Sequence, residues 1–458
     1  MVCRRITGAA ALVLVAAVGL RSTETLAAQT SPAVRLYNPN SAHLWNRLHA
    51  VLFARMAADG RVYGTDRVDP LLWASSTYLL QGPSHAQAVK LLNEFVNTHG
   101  ERLIRDPVKR AILQRDLWTV FDWLEGTHTP YQQPQLTPEV VRKSVDDLCK
   151  PLATVIARLA LTPEEIRKLP DNYAAAAPAN VLPPDLVAPD GPWVSVGRSD
   201  GPIATAHLND DGPGKNSIFL VLIRLPGGRD ATLKYLGALR SFNGPWWVHD
   251  ANMPSSMQDY PNPRVPQFPV GTRVALVRRA LLIDSTGHIA ATRLTEQVQL
   301  RAYRAISAMS AQGFADAQRI DENMFARAGQ DFDEFSLSRA ALFGGRAGGL
   351  LPLSEIGRLF LTFSSHGVDE FEMRGAGDQR SSPREAGFDS THMKQLCKDC
   401  HGAPGVYSFN SYVPFRLNRQ GLAGTPGLSA ISIADAGRTA IAWKQQQANW
   451  TILQSMLQ

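Results

Sequence analysis

Between Ser41 and Leu169 apolar residues recur every three or four positions, the spacing of helices that bury one face. Ser84 and Gln87 read as a capping box ahead of Ala88, Leu91, Leu92 and Phe95. Asp106-Pro107 reads as a cap and first turn, followed by a stripe of Leu113, Leu117, Val120 and Leu124 that Gly126 ends. Thr137-Pro138-Glu139 opens a third helix through Val141, Val145, Leu148, Leu152, Ile156 and Leu159, which Pro151 is expected to kink or break. Thr162 and Glu165 form a further capping box for a short helix stopped by Pro170. Asp116 and Asp122 share a helix but not a face, so solvated or capping roles are expected of them.

Residues 171–191 are rich in Ala and Pro, have no period, and read as an interdomain connection. Beyond them the period becomes two. Ile218 to Ile223 is an unbroken apolar run, as in a buried strand. Val274 to Ile283 and Ile289 to Tyr303 flank Asp284-Ser285-Thr286-Gly287-His288. Leu294, Val298 and Leu300 alternate with Thr295, Gln297, Gln299 and Arg301, which predicts a long hairpin with one wet face. Short strands are predicted near Phe332 to Leu337 and Leu359 to Met373. The Pro- and Trp-rich stretch Ser241 to Val270 reads as an aromatic-pinned surface loop or as the wall of a ligand site. A last helix is predicted over Ile433 to Leu457.

With 44% apolar and 19% charged residues, the 458-residue chain has globular composition. Its net charge of +6 is spread out, with no Lys/Arg run interleaved with aromatics, so nucleic acid is not an expected partner. Met1 to Arg5 form a positive n-region, Ile6 to Leu20 an uncharged h-region and Thr25-Leu26-Ala27 a small-residue cleavage signal. A cleaved signal peptide over residues 1–28 is therefore expected, with a periplasmic or secreted product that has no transmembrane segment. Cleavage removes Cys3 and leaves Cys149, Cys397 and Cys400. An odd count rules out full pairing, and Cys149 is expected as a buried, inert thiol.

The segment that carries chemistry is Cys397-Lys398-Asp399-Cys400-His401. A helix capped by Asp389 or Ser390 would place Met393, Leu396, Cys397 and Cys400 on one stripe, with His401 at its edge. Two thiols one turn apart can each add to a vinyl group of one porphyrin, while the adjacent imidazole reaches the iron. At this chain's Cys and His frequencies the pattern arises by chance with a probability on the order of 10⁻³. The two cysteines also suit a disulfide or thioredoxin-like redox pair, or a zinc site completed by His392 or His366.

Over this motif the chain resembles the c-type cytochromes. The resemblance implies one haem c bound covalently through Cys397 and Cys400, with His401 as the proximal iron ligand. Met456 is the only methionine after His401 and is the first distal candidate; His366 is the second. His249, His392 and Met373 are more remote candidates, and Met393 is expected in the core.

The fold expected is α+β. It comprises an α-helical domain over 36–170, a linker over 171–191, a mainly antiparallel β domain over 192–380 and a small C-terminal helical haem-binding segment over 388–458. Electron transfer or haem-linked redox chemistry is the expected role, with a redox partner protein of acidic surface. The alternative is an exported binding or structural protein in which Cys397 and Cys400 form a disulfide or metal site. The sequence names no catalytic residue.

Overall fold

In a computed structural model of the chain, six helices begin at a capping Asp, Thr or Ser side chain. The structure describes residues 32–56, 62–68, 78–126, 136–178, 182–198, 201–204, 208, 216–254, 258–306, 329–353, 405–411 and 429–457. The helices are α1 (Leu44–Phe53), α2 (Gly82–Asn97), α3 (Pro107–Leu124), α4 (Pro138–Leu159), α5 (Pro163–Arg167), α6 (Asn172–Ala176), α7 (Gly228–Arg240), α8 (Arg339–Phe343), α9 (Ile433–Gln445) and α10 (Ala448–Leu457). Asp106 accepts from Val108 N and Lys109 N at the start of α3, Thr137 caps α4, and Thr162 and Glu165 complete a capping box on α5.

Three local expectations differ. Helix α2 starts at Gly82, where φ is +74°, so Ser84 lies inside it and its hydroxyl donates to Tyr78 O instead of capping. Helix α4 runs unbroken through Pro151: the lost backbone donor is tolerated because Leu148, Leu152, Val155 and Ile156 are all buried around it. The predicted C-terminal helix is two, α9 and α10.

The strands are β1 (Arg55–Met56), β2 (Val62–Tyr63), β3 (Val194–Gly197), β4 (Ser217–Arg224), β5 (Trp247–His249), β6 (Asp259–Pro261), β7 (Arg273–Ile283), β8 (Ile289–Tyr303), β9 (Gln330–Leu337), β10 (Leu350–Pro352) and β11 (Ser429–Ala430). Seven of them form one antiparallel sheet in the order β10-β9-β8-β7-β4-β3-β11, so the molecule is α+β. The predicted hairpin is β7–β8. Its register slips between Arg278 and Leu281, and each slip swells the ladder at a bulge.

Both faces of the central strands are covered. Leu220, Leu222, Ala275, Val277 and Val298 point to one side and share a core with Leu52, Leu92, Trp118, Phe121 and Leu152 of α1 to α4 and Trp450 and Leu453 of α10. Each such side chain, fully buried, contributes roughly 1.5–3 kcal/mol. Phe219, Val221, Ile223, Val274 and Leu276 point to the other side, against Leu236 and Leu239 of α7 and Trp246, Phe268 and Tyr407. The wet face expected of the hairpin is therefore largely closed: Thr295 and Arg301 are buried, and Gln297 and Gln299 are half-buried.

The helical and strand segments share one core, and Ser31–Gln458 form one compact unit. Within 171–191, Tyr173, Ala176, Leu182 and Leu186 are buried in that core. Asn172 Nδ2 donates to Thr295 O and Gly348 O, both at 2.9 Å, and Asn172 Oδ1 accepts from Thr295 N at 2.6 Å. One side-chain amide thus satisfies backbone groups left open beside the bulge. Gln114 of α3 does the same at the end of β7, accepting from Ile283 N and donating to Ile283 O. The strand predicted at Leu359 to Met373 lies outside the described residues. No helix of the described residues is long and apolar enough to cross a membrane.

Candidate functional site

Cys397, Cys400, His401 and His366, together with Met373, His392 and Met393, lie outside the described residues. The chain just after the motif is described. Gly405–Ser411 forms a 3-10 turn whose Val406, Tyr407 and Ser408 are buried against the aromatic stretch 241–270. Tyr407 Oη donates to Trp246 O at 2.5 Å and to Asn262 O at 3.2 Å. Its ring meets Trp246 and Trp247 edge-on, each at 5.7 Å between centroids. Gln267 Oε1 accepts from Val406 N at 2.5 Å, and Tyr303 Oη shares a hydrogen bond with Ser408 Oγ at 2.5 Å.

Phe268 links this anchor to the sheet, 5.1 Å from the Tyr303 ring and 5.5 Å from that of Tyr235. Burial raises the Tyr407 phenol well above its ordinary range, so it stays a hydrogen-bond donor across neutral pH. The aromatic stretch thus clasps the residues that follow the CxxCH motif. The turn sequence Gly405-Val406-Tyr407 has no hydrophobic period, so nothing local in it marks an anchor.

The other candidates fall elsewhere. Met456 is on α10 and 39% exposed. His249 is exposed on the β5–β6 ribbon, its Nδ1 3.0 Å from Asp259 Oδ1. Cys149 is a buried free thiol, raised far above its ordinary range by burial and then by the neighbouring Glu125 carboxylate. The expectation of an inert thiol agrees with that setting.

Asp116 and Asp122 correct the sequence reading. Neither is solvated or capping. Asp116 takes a bidentate contact from Arg339 of α8 at 2.5 and 2.7 Å, and Asp122 accepts from Lys444 of α9 at 2.7 Å, all four being buried. Their partners lie more than 200 positions away, so spacing along one helix held no trace of them.

A further charged cluster sits where α3 meets the sheet. Arg115 Nη2 donates to Ser217 Oγ at 2.9 Å and to Glu296 Oε2 at 3.1 Å, and Arg278 Nε lies 3.5 Å from the same Glu296 oxygen. Burial alone would raise the Glu296 carboxyl, but the two guanidiniums outweigh it and hold it below the ordinary carboxylate range. On β9, Glu334 accepts from Gln297 Nε2 and Gln299 Nε2, yet burial still leaves it above that range. Among the described residues no group of three or more His, Cys, Asp or Glu side chains could hold a metal ion.

No protein-family model matches the chain, and no curated protein and no solved structure matches it either.

Proposed function

We propose that this chain is an exported c-type haem protein that serves electron transfer or haem-linked redox chemistry. The observation that carries the reading is the motif Cys397-Lys398-Asp399-Cys400-His401 downstream of an export signal. Two thiols that can add across the vinyl groups and an adjacent imidazole that can bind the iron are what covalent haem requires. Cys397 and Cys400 would hold the group by thioethers and His401 would bind its iron from the proximal side; when bound, it supplies one-electron redox chemistry.

The described residues anchor the chain a few positions after the motif. Four peptide units separate His401 from Gly405, so covalent geometry keeps the His401 Cα within about 15 Å of that glycine. Val406 to Ser408 are tied to Trp246, Asn262, Gln267 and Tyr303 by backbone and phenol hydrogen bonds. Trp246, Trp247, Phe268 and Tyr407 supply apolar surface beside that anchor and exclude water from it. On this reading the C-terminal segment is a small helical haem-binding unit, the protein is periplasmic or secreted, and its redox partner presents an acidic surface to the net positive chain.

Maturation of the precursor with a c-type haem assembly system tests the reading. Haem is expected to stay on the polypeptide through denaturation, and Cys397→Ser or Cys400→Ser to abolish or weaken the attachment. Exported protein without covalent haem would end it in favour of a disulfide or metal site at the two cysteines. A weak or displaceable distal ligand, Met456 first and His366 second, predicts that the ferrous protein binds carbon monoxide at neutral pH. A low-spin haem that refuses the gas favours two strong axial ligands and simple electron transfer.

A further inference from the structure

Residues 62–68 form a strap tied to α1 and α8 at three points. His49 Nε2 is 2.8 Å from Gly64 O, Arg339 Nη1 donates to Asp66 O at 3.2 Å, and Ala340 N donates to Asp66 Oδ1 at 2.7 Å. Little apolar surface secures it. Its strand β2 has two residues, Val62 is exposed, and Tyr63 and Val68 are only half-buried. By contrast α1 buries Leu44, Trp45, Leu48, Leu52 and Phe53 in the main core. Segments with few buried apolar contacts open first, so the strap lifts at lower cost than α1 unpacks.

His49, at the first tie, is wholly buried. The Gly64 carbonyl fixes the imidazole proton on Nε2 and leaves Nδ1 as a bare acceptor. Nδ1 has no partner, and neither has the buried Tyr37 Oη, whose ring centre is 5.9 Å from that of His49. The charged or titratable groups around the imidazole are Tyr37, Asp116 of α3, Arg339 of α8 and Asp66 of the strap itself. Asp116 is already engaged by two nitrogens of Arg339, at 2.5 and 2.7 Å. A second proton on the ring would therefore place a cation near Arg339 with neither water nor a carboxylate in contact.

We propose that the strap is an acid-released latch: neutral His49 holds it shut, and uptake of a proton at Nδ1, which needs water, keeps it open. Burial pushes the closed-state pKa of His49 down to about 4; Asp116, the Gly64 carbonyl and Asp66 oppose that fall, and Arg339 adds to it. In the open strap the imidazole titrates near 6.5. The closed form is therefore fully favoured above about pH 6.5 and progressively less so towards pH 4. Between pH 7 and pH 4 the ratio of open to closed rises on the order of a hundredfold.

Hydrogen exchange of the full mature chain between pH 7 and pH 4, corrected for the intrinsic rate, tests this peptide by peptide. Protection across 62–68 is expected to fall on the order of a hundredfold. At each pH it should stay at least about tenfold below that of 44–53, because the strap opens without α1. His49→Gln keeps an N–H for Gly64 O but cannot titrate, and its fall should vanish. Asp66→Asn keeps the acceptor for Ala340 N and should respond like the parent. Strap and α1 exchanging at one common rate, the mark of global unfolding, overturn the proposal, as does a parent strap indifferent to pH. So does a response that His49→Gln retains or Asp66→Asn abolishes. Should His49→Gln fail to fold, the parent and Asp66→Asn decide, because a strap driven by its own carboxylate loses its response in that variant.

Discussion

Removing Lys444 alone should be among the most damaging single changes available in this fold. The side chain is 0% exposed; its Nζ stands 2.7 Å from Asp122 Oδ2, 3.3 Å from Asn449 Oδ1 and 5.2 Å from the centre of the Trp118 ring. At an effective dielectric near 20, opposite charges this close attract by about 6 kcal/mol. Withdrawing each ion from water costs several kcal/mol, so the pair as a whole is close to balanced. Lys444→Met keeps the length of the stem and deletes the charge, which leaves the desolvation of Asp122 with nothing to offset it. The expected loss is about 3–5 kcal/mol of unfolding free energy. Asp122→Leu combined with Lys444→Met should recover most of it, because the double variant buries no orphan charge.

Urea unfolding of the mature chain, followed by tryptophan fluorescence, reads the difference as a shift of midpoint at unchanged slope. A single-variant loss below about 1 kcal/mol, the range of exposed ion pairs, refutes the reasoning. So does a double variant no more stable than Lys444→Met.

Further outcomes follow from other buried groups. His49 is wholly buried, with Nε2 2.8 Å from Gly64 O, and its pKa is pushed down to about 4, chiefly by burial. The unfolded imidazole takes up its proton near pH 6.5 while the folded one refuses it, so stability present above about pH 6.5 is lost on acidification towards pH 4, by about 3 kcal/mol. His49→Phe should flatten that part of the stability profile, and parallel profiles for the two chains would rule the assignment out. If Cys397 and Cys400 hold haem, Cys149 should resist thiol reagents until denaturation and then react as one group; a recovered peptide joining Cys149 to Cys397 or Cys400 would contradict this. Asn172→Ala removes three hydrogen bonds to buried backbone groups of Thr295 and Gly348 and is expected to cost at least about 2 kcal/mol; a loss within about 0.5 kcal/mol, the usual spread for surface changes, would show that water replaces the amide there.

The sequence by itself was enough for whatever is local. Asp106, Thr137 and Thr162 announce helix starts because a cap is made by a side chain and backbone two or three residues apart. The β7–β8 hairpin is legible for the same reason, since its turn lies between its own arms. The CxxCH motif is likewise a matter of five consecutive residues.

Only the tertiary structure decided which polar residues are buried and what they hold. Asp116 and Asp122 look like surface carboxylates until Arg339 and Lys444 arrive from distant parts of the chain. Gln297 and Arg301 read as a wet face because alternation records only that one side of a strand is polar, and polarity alone does not say that water is there. Residues 171–191 read as a linker because Ala and Pro carry no period, although Asn172 and Tyr173 are fixed in the core. Arg278 belongs with these: its row with Gln297 and Ser336 exists only once three strands are in register, so no window along the chain contains it.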